Sequence, residues 1–559
     1  MVLNELIKQY KEQFDIVDVI NLNECLTQPS YYIWLKKKLL GIFKEEYNPN
    51  ERILFYLTVD NANAHLIFKM LAYILNKDID ISNFFFVVAC NNNLEKYKDA
   101  LESNTNDTVP VKFVQIDDVV ETINTNENND TMAYGYNSWT PVKTSELELT
   151  DFDISLLRDS KTFCIYPWIH LHAYPTGDAW PCCGAEMKAG PCGNTHDNTL
   201  KELWNSDKMK ELRTNMLAGK KNELCSRCYE QDEHGFFSMR KSANKHHGHH
   251  IGRVQDTQPD GTYDNFHMTY IDVRFSNLCN LSCRSCGHIF SSSWFKDQVA
   301  LNPGYEKDHK ALNIAGRFEN DLLEQILEHI DYVEQIYFAG GEPLMMEEHY
   351  IILEELVKRK RFNVRLIYNT NFTRTNLKGK SVFEYWKLFD SVSVGASLDA
   401  MGERAEYLRK GTKWADVEQN RKNMMRICPD VDFYISSTLS IFNSLHIVDF
   451  HRDWVEKGFI KPQDFNVNIL QDPAEYRIDI APKDLKNRII KKYEEHLEWL
   501  RDNDELNRAS TGFESAIKYI QNNNEFLVDP FLHKTKQLDN IRNENLYTVF
   551  PELAGIDVL

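Results

Sequence analysis

From residue 266 onward the chain keeps one rhythm: apolar runs at 271–275, 335–339, 364–368, 392–398, 433–439 and 465–470, with helical segments between them. Strands that alternate with helices build a parallel sheet, because parallel neighbours need a long crossover that is usually a helix. Six such units predict an α/β fold, a partial (β/α)6 barrel over residues 262–480. In folds of this kind the chemistry sits at the C-terminal ends of the strands. In the helical segment carrying Trp414, Val417, Met424 and Ile427 the apolar residues recur at the helical period, so they read as a core-facing stripe rather than cofactor contacts. Beyond Pro482 the pattern is helical, with Leu485, Ile489, Tyr493, Leu497 and Leu500 on one face. Residues 481–559 are therefore expected to be a helical extension packed on the barrel.

Residues 1–145 read as an accessory α/β domain, with helix patterns at 31–43, 61–75 and 94–101 and strand patterns at 53–59, 84–88 and 111–116. No glycine-rich phosphate loop accompanies them, so docking a partner or covering the main site is the expected role. Polar stretches at 117–145 and 241–265 read as connectors. A chain of 559 residues exceeds what one core organises, and 42% hydrophobic with 12% aromatic residues excludes a disordered or collagen-like protein. Against 83 acidic residues stand 64 basic ones, a net charge of -19, which argues against gripping a phosphate backbone. Residues 1–14 are polar and helical in pattern, unlike a secretory signal, and the densest apolar run, 84–90, is too short to cross a bilayer. A cytoplasmic protein with neither membrane nor nucleic acid as partner is expected.

Twelve cysteines are present, and most fall into two groups. In a reducing compartment such spacing points to metal rather than to disulfides. Cys25, Cys90 and Cys428 stand alone and read as small buried hydrophobes. The most informative segment is Val273-Arg-Phe-Ser-Asn-Leu-Cys279-Asn-Leu-Ser-Cys283-Arg-Ser-Cys286-Gly-His288, a CxxxCxxC loop directly after an alternating strand. That spacing lets three sulfurs wrap one face of a cubane and leaves the fourth iron open to a small molecule. After the second strand comes Phe338-Ala-Gly-Gly-Glu-Pro343. Gly340 and Gly341, lacking side chains, let backbone approach a ligand closely, and Glu342 is placed to face a positive amine; a structural turn is the alternative.

Taken together, the cysteine loop and the glycine turn resemble the radical S-adenosylmethionine superfamily. The resemblance implies that Cys279, Cys283 and Cys286 hold a 4Fe-4S cluster. It implies that S-adenosylmethionine chelates the remaining iron, with Gly340, Gly341, Glu342 and Pro343 binding that cosubstrate. One electron then cleaves the sulfonium to methionine and a 5'-deoxyadenosyl radical, which takes a hydrogen atom from the substrate. Ser397-Leu-Asp-Ala400 and Arg409 resemble the family's fourth-strand region. Ser397 and Arg409 either contact the cosubstrate's carboxylate or ribose, or serve as a helix cap and a carboxylate partner. One departure stands out: Ser285 occupies the place before the third cysteine where many relatives carry an aromatic residue near the adenine. Adenine contacts then fall to other residues, with His288, Ile289 and Phe290 as unassigned candidates.

Upstream lie Cys164, Cys182, Cys183, Cys192, Cys225 and Cys228. Phe163-Cys-Ile-Tyr-Pro-Trp168, Gly177-Asp-Ala-Trp-Pro-Cys182-Cys183, the helix Leu200-Lys-Glu-Leu-Trp204 and Cys225-Ser-Arg-Cys228 resemble the twitch module, the shorter relative of the SPASM domain. Residues 155–245 would then form an auxiliary Fe-S module preceding the barrel. The resemblance implies that Cys164, Cys182, Cys225 and Cys228 hold an auxiliary 4Fe-4S cluster, with Cys183 as alternative to Cys182 and no place for Cys192. Four thiolates also suit a structural zinc ion. A cluster with four protein ligands has no open iron, which favours electron relay over substrate binding. His246-His247-Gly-His249-His250 reads as a solvated loop or a transition-metal tract. The expected function is a radical S-adenosylmethionine enzyme on a peptide or protein, reduced by a donor such as flavodoxin or ferredoxin. The alternatives are a sugar or nucleotide-linked small molecule as substrate, or a non-catalytic metal-stabilised interaction protein, against which the ligand-facing glycine turn speaks.

Overall fold

The computed structural model describes residues 149–556, apart from 234–237 and 505, and four strands between residues 16 and 115. These are β1 (Ile16–Asn21), β2 (Arg52–Val59), β3 (Phe84–Cys90) and β4 (Val111–Gln115), a parallel sheet in chain order. This sheet belongs to a compact unit of its own. Three of its strands fall where apolar runs predict them. β1 was missed because Asp18 interrupts a short run, and its register to β2 slips at that point. The readings of 1–14, 31–43, 61–75, 94–101 and 117–145, and the surroundings of Cys25 and Cys90, lie outside the described residues.

The second unit is organised by one nine-stranded sheet. Its strands in chain order are β5 (His172–Ala173), β6 (Asp178–Trp180), β7 (Gly193–Asn194) and β8 (Tyr270–Val273), followed after the short β9 (Ser282–Cys283) by β10 (Gln335–Phe338) and β11 (Arg365–Thr370). A two-residue-stranded hairpin, β12 (Asn376–Leu377) and β13 (Lys380–Ser381), precedes β14 (Val392–Ala396), the short β15 (Arg409–Lys410), β16 (Asp432–Leu439) and β17 (Phe465–Ile469). The order in the sheet is β17-β16-β14-β11-β10-β8-β5-β6-β7, and every pairing from β17 to β8 is parallel. Parallel strands are covered on both faces, so they read as unbroken apolar runs. β14 is buried at every position, and β11 at all but Asn369. All six C-terminal ends open to one edge.

The cysteine-rich segment is not a separate body. β5 adds to the parallel run through His172↔Asp272 and Ala173↔Val273, and β6 and β7 follow antiparallel. Trp168, Ile169, Leu203 and Trp204 share one core with the strands. The connector expected at 241–265 is mostly helical: a helix Met239–His247, started by the Ser238 side chain, runs into a 3-10 segment Gly248–Asp256. Its polar side chains are used inside the fold. Asn244 accepts from Ile165 N at 3.0 Å and donates to Phe163 O at 3.1 Å, and Arg253 donates to His267 O at 2.7 Å. The solvated-loop reading of the histidine tract is therefore corrected: His247 is buried, and His249 and His250 pack against Glu334. Buried polar groups find partners, so polarity alone misjudged this stretch.

The helix Trp414–Ile427 buries Val417 and Met424 as the stripe predicts, and Cys428 is buried just beyond it. In the helix Lys483–Arg501, Leu485, Ile489, Tyr493 and Leu500 are buried. The next helix, Arg508–Tyr519, lies so close to β17 that a Cβ on Gly512 would stand 2.8 Å from Val467 Cβ. No helix among the described residues is long and apolar enough to cross a membrane. An exposed helical glycine gains about 1 kcal/mol on replacement by alanine. Here the sign is reversed: Gly512→Ala pushes the helix off the sheet and costs about 1–3 kcal/mol, measured as a lowered midpoint in denaturant.

Candidate functional site

After β8 the chain leaves the sheet in a loop with almost no regular structure, and side chains supply what secondary structure does not. Asn277, fully buried, donates to His288 O at 2.9 Å and to Ala311 O at 3.1 Å and accepts from Asn313 N at 2.9 Å, which closes the loop on itself. Trp294 Nε1 donates to Cys283 O at 2.7 Å, and Ser293 to Cys279 O at 2.7 Å. β9 pairs antiparallel with β15, setting Cys283 opposite Arg409. Each backbone carbonyl met in this way avoids the penalty of burial without a partner.

The loop brings Cys279, Cys283 and Cys286 together around an open cavity of about 290 Å3. Burial, then the neighbouring thiols, pushes Cys279 and Cys286 up to about 12. Cys283 is also raised by burial, against the pull of Arg409. Three thiolates are stable here only with added positive charge, which the iron of a cluster supplies. The donors around the sulfurs suit that state. Leu281 N lies 3.5 Å from Cys279 Sγ, Asn371 Nδ2 3.8 Å from the same sulfur, and Arg409 Nη1 3.7 Å from Cys283 Sγ. By donor type, burial and hydrogen bonding, the three cysteines fit a 4Fe-4S cluster.

The glycine turn closes the cavity on the side of β10. Gly340, at φ +101°, and Gly341 line it, but the demand on Gly341 comes from the cysteine loop: a Cβ there would meet Leu278 O at 2.2 Å. Glu342 N donates to Leu278 O at 2.7 Å, so the turn and the loop lock backbone to backbone. The expectation that Glu342 faces an amine is corrected. Its carboxylate is fully buried beside the cavity and not on its wall, accepting from Thr370 Oγ1 at 2.6 Å, Asn371 N at 2.7 Å and Leu344 N at 3.1 Å. Burial pushes it up to about 7 against those bonds. It ties the end of β10 to the end of β11, and Pro343 opens the buried turn that follows.

Ser397 lines the cavity beyond β14, its N–H bonded to Thr370 O at 2.8 Å. Arg409 reaches the cavity while paired to Asp399, Nε to Oδ2 at 2.8 Å and Nη2 to Oδ1 at 2.9 Å. Burial opposes its charge, but Asp399 and Cys283 outweigh burial and hold it above its usual range. His288 is occupied elsewhere, with Nδ1 3.0 Å from Tyr305 Oη and Nε2 2.8 Å from Lys310 O, whereas Phe290 stands at the cavity wall. Sequence reasoning missed Asn369 and Asn371, which also line it. Two amides flanking Thr370 at the end of an apolar strand were the available signal.

In the upstream set, burial raises Cys182 well above the usual thiol range, and Cys183, Cys228, Cys225 and Cys164 act on it as neighbouring like charges. For Cys183 the main influences after burial are Asp272, to which it hydrogen-bonds, and Arg274. Cys192 is pushed up to about 12 by burial, with Lys208 and Arg213 as its opposing charges. Backbone N–H groups of Met239 and Arg240, at the start of the helix Met239–His247, stabilise the Cys228 sulfur. Cys164, Cys182, Cys225 and Cys228 therefore converge as a donor set that could hold a second cluster, with Cys182 rather than Cys183 facing the other three.

The far C-terminus fastens the first loop. Arg542, in the helix Val528–Arg542, donates to Asp297 Oδ2 at 2.7 Å and to Ser282 O at 2.8 Å, beside Cys283. Arg284, next to the same cysteine, reaches Asp539 and Glu544 and stacks 3.7 Å over Tyr407. Removing one partner of a buried pair strands the other. Arg542→Met is expected to cost about 3–5 kcal/mol, seen as a lowered unfolding midpoint together with reduced iron retained per chain.

Residues 164–229 match the SPASM family, described as an iron-sulfur cluster-binding domain, and residues 272–437 match a family described as a 4Fe-4S single cluster domain. No curated protein matches the chain. Among solved structures, "Native anSMEcpe with bound AdoMet" is similar at 20% identity and TM-score 0.29, over 41% of this chain and 60% of that one. "Native anSMEcpe with bound AdoMet and Kp18Cys peptide" is similar at 18% identity and TM-score 0.30, over 42% and 62%. The chain thus spans under two thirds of these two structures. The two iron-sulfur matches each fall on one of the cysteine groups, and the first loop is locked to its glycine turn; the chain thus carries two segments of iron-sulfur cluster-binding type, the upstream one SPASM-like.

Proposed function

We propose that the chain is a radical S-adenosylmethionine enzyme that takes a hydrogen atom from a peptide or protein substrate. The observation that carries the reading is the shared cavity: three cysteines, the Gly340-Gly341 turn, Ser397 and Arg409 all line the same space. Cys279, Cys283 and Cys286 would hold the site cluster, and Cys164, Cys182, Cys225 and Cys228 the auxiliary one. When bound, these groups supply one-electron cleavage of S-adenosylmethionine and the carbon radical that results. The chain's own work is positioning. Arg409 keeps its charge through Asp399 and offers it to an anionic group such as a carboxylate, while Gly340, Gly341 and Ser397 form the wall against which a cosubstrate lies. We read the parallel strands β8 to β17 as a partial barrel, residues 155–245 as the auxiliary module, 262–480 as the core and 481–559 as the extension. The peptide class rests on the SPASM-type module, which commonly accompanies peptide-modifying radical proteins. A cytoplasmic location and a flavodoxin- or ferredoxin-type donor belong to the same reading.

Anaerobically prepared protein is expected to carry about eight irons per chain for two 4Fe-4S clusters; a zinc site in the auxiliary module would halve that figure. With S-adenosylmethionine and a strong reductant it should release 5'-deoxyadenosine. Replacing Cys279, Cys283 and Cys286 by Ala should remove about half the iron and all of the release. Undiminished release in that variant would refute the assignment. Peptides encoded beside the gene, assayed by mass spectrometry, then test the substrate class.

A further inference from the structure

Outside the cysteine sites, one cluster of metal-ligating side chains is already assembled. Glu334 stands at the start of β10, the end of the strand remote from the cysteine loop, and its N–H is anchored to Thr269 O at 2.8 Å. Two consecutive histidines of the 3-10 segment aim at the same carboxylate oxygen. His249 Nε2 lies 2.8 Å from Glu334 Oε2, and His250 Nε2 lies 3.1 Å from it. All three donor atoms stand within 4.8 Å of one another. The side chains are 8%, 12% and 32% exposed, so the two imidazoles are sheltered while the carboxylate borders solvent. Arg253 holds the segment in place through Trp168 O and His267 O.

We propose that His249, His250 and Glu334 bind one divalent transition-metal ion of the zinc type. Two imidazole nitrogens and a carboxylate oxygen are a donor set such ions favour, and a three-ligand site leaves a fourth position for water. Zinc held at about 2.0–2.2 Å by each donor places neighbouring donors roughly 3.3 Å apart, so the two imidazole–carboxylate separations need to open by only a few tenths of an ångström. The partly exposed carboxylate provides the way in. The ion would tie the segment that follows the auxiliary module to the base of the parallel strands. It has no part in the radical reaction. Without an ion, the same geometry is a carboxylate accepting two N–H bonds, and experiment separates the two cases.

The test uses the iron-loaded full chain, so that the cysteine sites are filled, dialysed against micromolar zinc and assayed for both metals. The expected result is about one zinc per chain in addition to the iron, with a higher unfolding temperature on zinc addition. Glu334→Gln, which keeps an oxygen acceptor for the imidazoles, and His249→Gln should each weaken zinc binding on the order of 100-fold with iron unchanged. Iron content and the zinc-free unfolding temperature report whether each variant is folded. Wild-type protein that takes up no zinc beyond its iron, or folded variants that bind zinc as tightly as wild type, would overturn the proposal.

Discussion

Three thiols gathered around one cavity are the constraint around which this protein is arranged. Burial raises the proton affinity of all three, and Cys283 raises that of Cys279 and Cys286 further. A loop that must hold them together gains little from its own backbone, because its residues make almost no regular hydrogen bonds. The frame comes from outside the loop. β15 pairs with it, the glycine turn meets it backbone to backbone, and Arg542 arrives from the end of the chain to bind a carbonyl next to Cys283. Residues separated by more than two hundred positions thus share responsibility for one geometry, and the C-terminal helices become part of the site instead of an appendage.

The second consequence concerns the two cysteine groups. β5 extends the parallel sheet at β8, so the cysteine-rich segment and the strands behind the first loop form one core. Between them lies a buried charged group. His172 Nδ1 stands 3.1 Å from an oxygen of Asp272, Arg274 Nε stands 3.6 Å from the other, and Cys183 faces the same carboxylate. Arg274 also lines the cavity. Close packing holds such a wall at a fixed thickness.

Much of this was legible in the order of residues. The six strands of the parallel run, the helical stripe at Trp414 to Ile427, the three-cysteine loop and the glycine turn are all local patterns, read from spacing over a few residues. β1 escaped because one Asp broke a short run, and the histidine tract was misjudged because its polar side chains meet partners far away in sequence. Glu342 shows the same limit within the site. Its type and place were visible, but whether it pointed into the cavity or toward β11 depended on which strand came to lie beside it.

By itself, then, the sequence determined the elements and the chemistry: periodicity is set by backbone geometry, and cysteine spacing by the reach of a short loop. The tertiary structure decided direction and company. It set Cys182 beside Cys164, Cys225 and Cys228 and Cys183 against Asp272, assigned Gly341 to loop packing, brought Arg542 to the cysteine loop, and gave the loop's own Arg284 its partner Asp539. Those outcomes rest on contacts between distant segments, whose energies exist only once the strands have paired and water has been excluded from between them.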